Sequence, residues 1–142
     1  MRTKIREAIR RALNSASGYE NLDFRTGFAP YINEGGYSLP CAWLCPLELI
    51  EKSGRKEGWK TYAGVMYIME PIDGLSPEEK DAAWDRMEMV AEKTFAAAME
   101  SGDISIVENI KCAPDEYALS GFGTVSIAVN FDVKMKYCEN RG

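Results

Sequence analysis

The sequence feature that most constrains the fold is a strictly alternating run near the end of the chain, over residues 124–138. Every second side chain from Val125 to Tyr137 is apolar, and the side chains between them are small, polar or charged. Such alternation is typical of a β-strand with one buried and one solvent-facing side. At about 3.3 Å per residue, a strand of roughly 14 residues spans on the order of 45 Å, more than twice a typical strand. We therefore expect a partner hairpin or a neighbouring subunit to cover it.

Two aromatic and β-branched segments in the middle of the chain predict an antiparallel hairpin. They are residues 41–50 and 59–70, joined by a polar turn that contains glycine, 52–58. Pro46 indicates an edge position or a bulge in the first strand, and Gly64 marks a bulge or a close backbone approach in the second. Alternation places five apolar side chains on one face of the first strand. These are Cys41, Trp43, Cys45, Leu47 and Leu49.

Two helices are predicted. Residues 3–16 repeat apolar side chains at three- and four-residue spacing,. The second helix begins at Ser76 and Pro77 with a capping box completed by Glu79, and it ends near Gly102,. One stripe of this helix must be buried against another element. The stripe consists of Trp84, Met87, Ala91, Phe95 and Ala98, flanked by Ala83, Val90 and Thr94.

The remaining segments complete a single-domain α+β prediction for residues 1–142. Residues 104–112 are interpreted as a further long strand. The stretches 18–40 and 113–123 lack clear periodicity and are interpreted as loop arms, the first with a short strand at 28–32 or as a packed surface loop. The element order is α-(β)-β-β-α-β-β. We expect a mainly antiparallel sheet of about four to five long strands, packed on one face by two helices.

The composition argues against several classes of function. The 142 residues contain 17 bases and 22 acids, a net charge of −5, which disfavours nucleic-acid read-out held by phosphate contacts,. No apolar stretch is long enough to cross a bilayer, so no membrane partner is expected. The absence of histidine removes the commonest general base and metal ligand,, and no phosphate-binding loop occurs. We predict no catalytic residue, no metal and no cofactor, hence not an enzyme.

The four cysteines could form disulfides in three ways,. No apolar leader precedes the first helix, so we expect reduced thiols in the core and a cytoplasmic origin. Cys41 and Cys45 are separated by three residues in an extended run, a spacing that does not make a zinc knuckle,.

The first helix differs in charge from the rest of the chain. Residues 1–17 hold five bases and one acid, although the whole chain is acidic. A solvated helix face accounts for this pattern. The sharper hypothesis is that the helix contacts an acidic surface of another subunit.

Together, these elements resemble the tail-terminator or tail-completion proteins of long-tailed phages, with the related neck and minor tail proteins. The likeness rests on the amphipathic first helix, the hairpin CAWLCPLELI and WKTYAGVMYIME, the capped helix that starts SPEEKDAAWDRM and the closing strand TVSIAVNFDVKMKYC. The resemblance implies a non-enzymatic phage or prophage virion protein that forms a ring, commonly a hexamer, at the end of the tail tube. Its partners would be further copies of itself and tail-tube or head-connector proteins. It would occur in the host cytoplasm during assembly and then in the virion.

Contacts between subunits are expected at the charged helix, the loop arms and the polar strand ends. In this hypothesis the arginines of the first helix meet acidic residues of the next subunit, and the strand ends extend a sheet between subunits or line the lumen. The candidate interface residues are Arg6, Arg10, Arg11, Tyr31, Tyr37, Tyr117, Phe122, Asp132, Lys134 and Lys136.

Two other functions remain open at this point. One is a small-ligand or peptide-binding module with an aromatic pocket around Trp43, Trp59 and Trp84. The other is a weak enzyme that uses Asp or Glu with Tyr.

Overall fold

The computed structural model describes residues 1–71, 76–115 and 124–138. These ranges contain two α-helices, one 3₁₀ helix and six strands. In chain order they are α1 (Arg2–Ala16), β1 (Asp23–Thr26), the 3₁₀ helix η1 (Ala29–Glu34), β2 (Cys41–Leu44), β3 (Glu48–Gly54), β4 (Glu57–Pro71), α2 (Pro77–Glu100), β5 (Ile106–Asp115) and β6 (Thr124–Cys138).

The six strands form one mixed sheet in the order β1-β2-β4-β6-β5, and β3 also pairs with β4. β1 and β2 are parallel, whereas the other pairings within the described ranges are antiparallel. The predicted α+β class is confirmed. The strand count is higher than predicted because β1 is additional and because the run 41–50 is divided into β2 and β3. Pro46 lies in this division, where it supplies no N–H to the ladder.

β4 and β6 form the long central pair of the sheet. They pair over 15 residues, from Glu57 opposite Cys138 to Pro71 opposite Thr124. The whole length of β6 is therefore covered along one edge by a strand of the same chain, which is one of the two arrangements expected from its length. All seven apolar side chains of its alternating face, from Val125 to Tyr137, are buried as predicted.

The two helices pack on the sheet face that carries these buried β6 side chains. All of the α2 residues predicted to be buried are buried except Trp84. Trp84 is half-buried and donates its indole N–H to the Ser126 carbonyl at 3.1 Å. The rings of Phe95 and Phe131 lie 4.7 Å apart between their centroids. The predicted cap is present, because the Ser76 hydroxyl accepts the Glu79 backbone N–H,. This helix-facing layer holds the main core.

The opposite side, here called the outer face, is covered at one end. All four residues of β2 are buried. Cys41 and Trp43 form an outer cluster with Ile32 and Met69, whereas the alternate side chains of β2 join the main core. The five apolar side chains predicted on one face are thus divided, and this prediction is wrong beyond the break at Pro46. Leu47 belongs to the main core and Leu49 is exposed.

The segment 18–40 forms this cover. The predicted short strand at 28–32 is wrong, because most of that stretch lies in η1, which has proline in its first turn, and the strand is β1. Packing of this segment on the sheet matches the surface-loop interpretation, since Ile32 is 1% exposed and the Trp43 indole donates to the Gly27 carbonyl at 2.9 Å. The second loop arm, 113–123, begins within β5, and its remainder lies outside the described residues.

Gly64 occupies a close approach between β4 and the core. It pairs in register with Phe131, and an added Cβ would collide with the Phe131 ring. One of the two alternatives expected for this glycine, the close approach, is therefore the correct one.

Candidate functional site

The strand β3 is an exposed edge of the sheet. All seven of its residues are exposed, and within the described ranges it pairs with β4 alone. Leu49 is 40% exposed and Ile50, at a register shift, is 49% exposed. Because an edge strand offers unpaired backbone N–H and C=O groups to another chain, we call residues 48–60 the distal hairpin and treat it as the candidate site.

β6 also extends past its neighbour at this end of the sheet. The first residue of β5, Ile106, pairs with Lys134, so residues 135–138 of β6 lie beyond β5. Their other edge is paired with β4. Over the part of the chain that the structure describes, the sheet here has two open edges, one on β3 and one on the end of β6.

Aromatic contacts order the helix-facing side of the distal hairpin. The Lys52 and Lys60 ammonium groups lie 5.1 and 5.4 Å from the ring centroid of Tyr137. The Tyr137 hydroxyl donates towards the backbone carbonyls of Ser53 and Gly54, at 3.0 and 2.9 Å. Cation–π contacts at exposed sites contribute about 0.5–1 kcal/mol each. The two ammonium groups therefore lie against the same ring, on one side of the distal hairpin.

The turn end of the distal hairpin is basic on an acidic protein, whereas the start of the hairpin carries two acids, Glu48 and Glu51. Residues 52–60 contain four bases and one acid, Glu57, although the chain has a net charge of −5. Lys136 lies on the outer face, where its ammonium is 6.0 Å from the ring centroid of Trp59, so it is separate from the charge that Lys52 and Lys60 place on the helix-facing side. Opposite charge on two surfaces steers their association and selects the partner. The local charge favours an acidic partner.

Two of the three arginines predicted to contact the next subunit form ion pairs within the chain. Arg10 pairs with Glu7 at 2.6 Å, and this contact holds the pKa of Glu7 below its usual range. Arg11 pairs with Asp103 at 2.9 Å. Arg6 lines a cleft of about 220 Å³ beside the β2–β3 break. The sequence indicated none of these pairings beyond the i,i+3 spacing of Arg10 and Glu7.

Two of the three predicted β6 residues serve the sheet itself. Asp132 accepts the side-chain amide of Asn109 at 2.9 Å, and Lys134 lies 3.4 Å from Glu108. Both contacts tie β6 to β5 where the β5 register shifts, and Asn109 has a positive φ of 56° there. Lys136 is exposed near the distal hairpin.

The predicted tyrosines have different environments. Tyr37 donates its hydroxyl to an η1 carbonyl at 2.9 Å, and its ring packs edge-on against Trp43, so it is structural. Tyr31 is 53% exposed and lies near the exposed Phe28 in sequence. Tyr117 and the remaining predicted aromatic residue, Phe122, lie outside the described residues.

The three tryptophans expected in one aromatic pocket lie apart. Trp43 belongs to the covered end of the outer face, Trp59 to the other end of that face, and Trp84 to the helix layer. The outer face does hold an apolar groove of about 560 Å³ between η1 and the end of β5. Its lining includes Pro30, Tyr67 and apolar neighbours.

Glu70 is the only carboxylate that is buried among the described residues. Its side chain accepts the Arg86 Nε–H at 3.0 Å and the Tyr19 hydroxyl. Burial, together with the Glu70 contact, raises the pKa of Tyr19 above its usual range. A carboxylate already neutralised by arginine links β4 to α2 and to the segment after α1, which is a structural role.

The four cysteines form no disulfide with one another. Burial raises the pKa of the Cys41 thiol to about 12 and also raises the pKa values of Cys45 and Cys112, which keeps these thiols protonated and unreactive,. Cys138 is exposed, so the expectation of core thiols is wrong for this one. In the described ranges, no group of three or more Cys, Asp or Glu is arranged to hold a metal ion.

Comparison with known proteins adds no relative, because no family model matches the chain and no curated protein matches it. Among the described residues, no helix is both long and apolar enough to cross a membrane.

Proposed function

We propose that this protein is a non-enzymatic assembly subunit that closes into a ring, similar to the phage tail-terminator and tail-completion proteins. The observation that supports the proposal is the fully exposed edge strand β3. It lies on one side of the sheet, and β5 lies on the other. A contact between two different surfaces of the same chain is heterologous, and such contacts close into rings when the rotation between copies permits.

Two of the three edge strands of the described sheet, β3 and β5, differ in the arrangement of the apolar side chains that they expose. β5 carries the devices that discourage edge pairing, namely the irregularity at Asn109, a proline at 114 and a charged side chain at Lys111,. β3 also has a register shift, at Ile50, and a lysine at position 52, but its exposed Leu49 and Ile50 are consecutive, whereas the exposed Ile106 and Ile110 of β5 are four residues apart. A chain that leaves consecutive apolar residues uncovered on an edge strand gains stability when another copy or a partner protein covers them.

The remaining details of the proposal come from the resemblance. The ring would be a hexamer at the end of a tail tube, in contact with tail-tube or head-connector proteins. It would assemble in the cytoplasm of the host and stay in the virion.

The decisive measurement is the solution mass of the wild-type chain by light scattering and native mass spectrometry over a range of concentrations. We expect a defined oligomer. The double variant Leu49→Asp with Ile50→Asp should weaken the association at least about tenfold, because it places charge on the apolar edge. Phe28→Ser, which removes an exposed apolar side chain just before η1, is the matched control. A wild-type chain that stays monomeric throughout would refute the proposal.

The groove between η1 and β5 favours a second candidate, a small-ligand or peptide-binding module. A binding module would stay monomeric and would gain thermal stability with an apolar ligand, by RT ln(1 + [L]/Kd). A thermal-shift series with apolar probes on the wild type and on Tyr67→Ala distinguishes the two functions. Stabilisation lost in the variant, with a monomeric mass, would favour the groove.

A further inference from the structure

We infer that the distal hairpin of one copy docks against a stripe of carboxylates on α2 of a second copy. The inference rests on the proposed function, since it names the surface that receives the same hairpin. The stripe consists of Asp81, Asp85, Glu88 and Glu92, spaced four, three and four residues apart. At about 100° per residue they fall within an arc of about 60°, and the row is about 16 Å long.

Among the described residues, none of the four carboxylates of the stripe forms an ion pair with the rest of its own chain. Three of them are exposed, and Glu88 is half-buried. Like charges three and four residues apart destabilise a helix, so the row is unfavourable for the isolated chain. A cationic partner surface would offset this repulsion.

The distal hairpin carries positive charge on the side of the sheet that the helices cover. Lys52 pairs opposite Lys60, and both lie on the helix-facing side of the sheet with Tyr137. The first residue of the chain's own α1 contacts Tyr62 on this side, where the Arg2 guanidinium lies 5.3 Å from the ring centroid. Beyond Tyr62, a helix of another copy can lie against the lysines in the layer that α1 and α2 occupy over their own sheet.

Within one chain, the two surfaces lie on opposite sides. The Trp84 indole contacts the β6 backbone, and the Val107 backbone N–H of β5 donates to the Met99 sulfur at 3.4 Å, so α2 covers β6 and β5. The distal hairpin is at the other side of the sheet, because the order there is β3-β4-β6-β5. The two surfaces therefore meet between copies, head to tail, which is the geometry that a ring requires.

Apolar side chains accompany the charges on both surfaces. Met89 is 53% exposed and lies beside the stripe on α2. Leu49 and Ile50 are exposed on β3, next to the lysines. A contact built from an apolar centre with charged neighbours has the composition of a specific protein interface.

Charge reversal tests the pairing. The hairpin variant is Lys52→Glu with Lys60→Glu, and the helix variant is Asp85→Lys with Glu88→Lys. We expect each to weaken self-association at least about tenfold by sedimentation or light scattering. The chain that carries all four reversals should associate within about threefold of the wild type, because the charges are again complementary. Association of the wild type should weaken as salt rises, since screening shortens the range of the attraction.

The matched control is Lys136→Glu, which reverses the same charge at the same end of the sheet but on the outer face. It should change the association less than about twofold. Circular dichroism checks that each variant folds, and Lys52→Gln with Lys60→Gln replaces the hairpin variant if the reversal prevents folding.

The outcomes separate the inference from the proposed function. A wild-type oligomer that neither reversal weakens would overturn the inference and leave the ring proposal standing. So would single reversals that weaken association without recovery in the fourfold variant, or a hairpin that binds duplex DNA while self-association is unaffected by its reversal. A monomeric wild type would overturn both.

Discussion

β2 and β3 are consecutive strands that pair with the same neighbour, yet their environments are opposite. All four residues of β2 are buried, whereas all seven residues of β3 are exposed. β2 lies between the main core and the outer cluster, while β3 lies beyond both. One end of the sheet is therefore closed on both faces and provides stability, and the other end offers an edge for association. Four predictions test this contrast.

The largest contrast is expected in thiol reactivity. Cys41 of β2 is buried with a pKa of about 12, whereas Cys138 at the open end is exposed. At about pH 8, only roughly one Cys41 thiol in ten thousand is ionised,. Alkylation should therefore modify Cys138 first and reach Cys41 only on unfolding. Mass spectrometry of the labelled peptides provides the measurement. Fast labelling of Cys41 in the folded protein would contradict a closed end.

The Cys41 thiol should also make the free energy of unfolding decrease at alkaline pH. The Cys41 pKa in the folded state lies above its ordinary value of 9.0. The unfolded chain therefore loses this proton first as the pH rises, and the stabilising contribution is present below about 9 and lost towards about 12,. Unfolding free energy measured in urea should fall across this window. The decline should be smaller in Cys41→Ala, and an equal decline in both proteins would exclude this cause.

Two tryptophans on the outer face provide a matched pair for stability. Trp43 is 7% exposed in the outer cluster, and Trp59 is half-buried at the open end. Trp43→Ala should reduce the free energy of unfolding by about 3–5 kcal/mol, because it creates a cavity and leaves the Gly27 carbonyl without its donor,. Trp59→Ala should cost less, about 1–2 kcal/mol, since only part of its side chain is buried and its indole makes one cation–π contact,. Similar losses in urea unfolding would remove the distinction between the ends.

The smallest effects are expected from two polar contacts. Glu70→Gln at the closed end should destabilise by about 2 kcal/mol, less than a fully buried pair, because Arg86 is 55% exposed,. Tyr137→Phe at the open end should cost about 1 kcal/mol through its lost hydrogen bonds,. Thermal unfolding measures both losses. The control is Glu7→Gln, which breaks an exposed ion pair and should leave the stability without measurable change,. A larger loss for Tyr137→Phe than for Glu70→Gln would reverse the contrast.

Local patterns predicted the helices and the long strand well. The cap at Ser76 and the apolar stripe through Phe95 depend on neighbours within a few residues, so they are visible in the sequence. The same holds for the alternation that ends at Tyr137. The site was predicted less well, since Arg10 and Arg11, proposed for another subunit, pair within the chain. Long-range partners such as Asp103 leave no periodic signal.

The sequence by itself determined the element types, the buried side of β6 and the contrast between a basic hairpin turn and an acidic helix, because each is a property of consecutive residues. Only the tertiary structure decided that β2 is covered on both faces and that β3 is not. That outcome depends on where the segment 18–40 packs and on the break at Pro46. Burial is a property of what lies against a strand, and alternation in the strand specifies which side is apolar but not how far the cover extends.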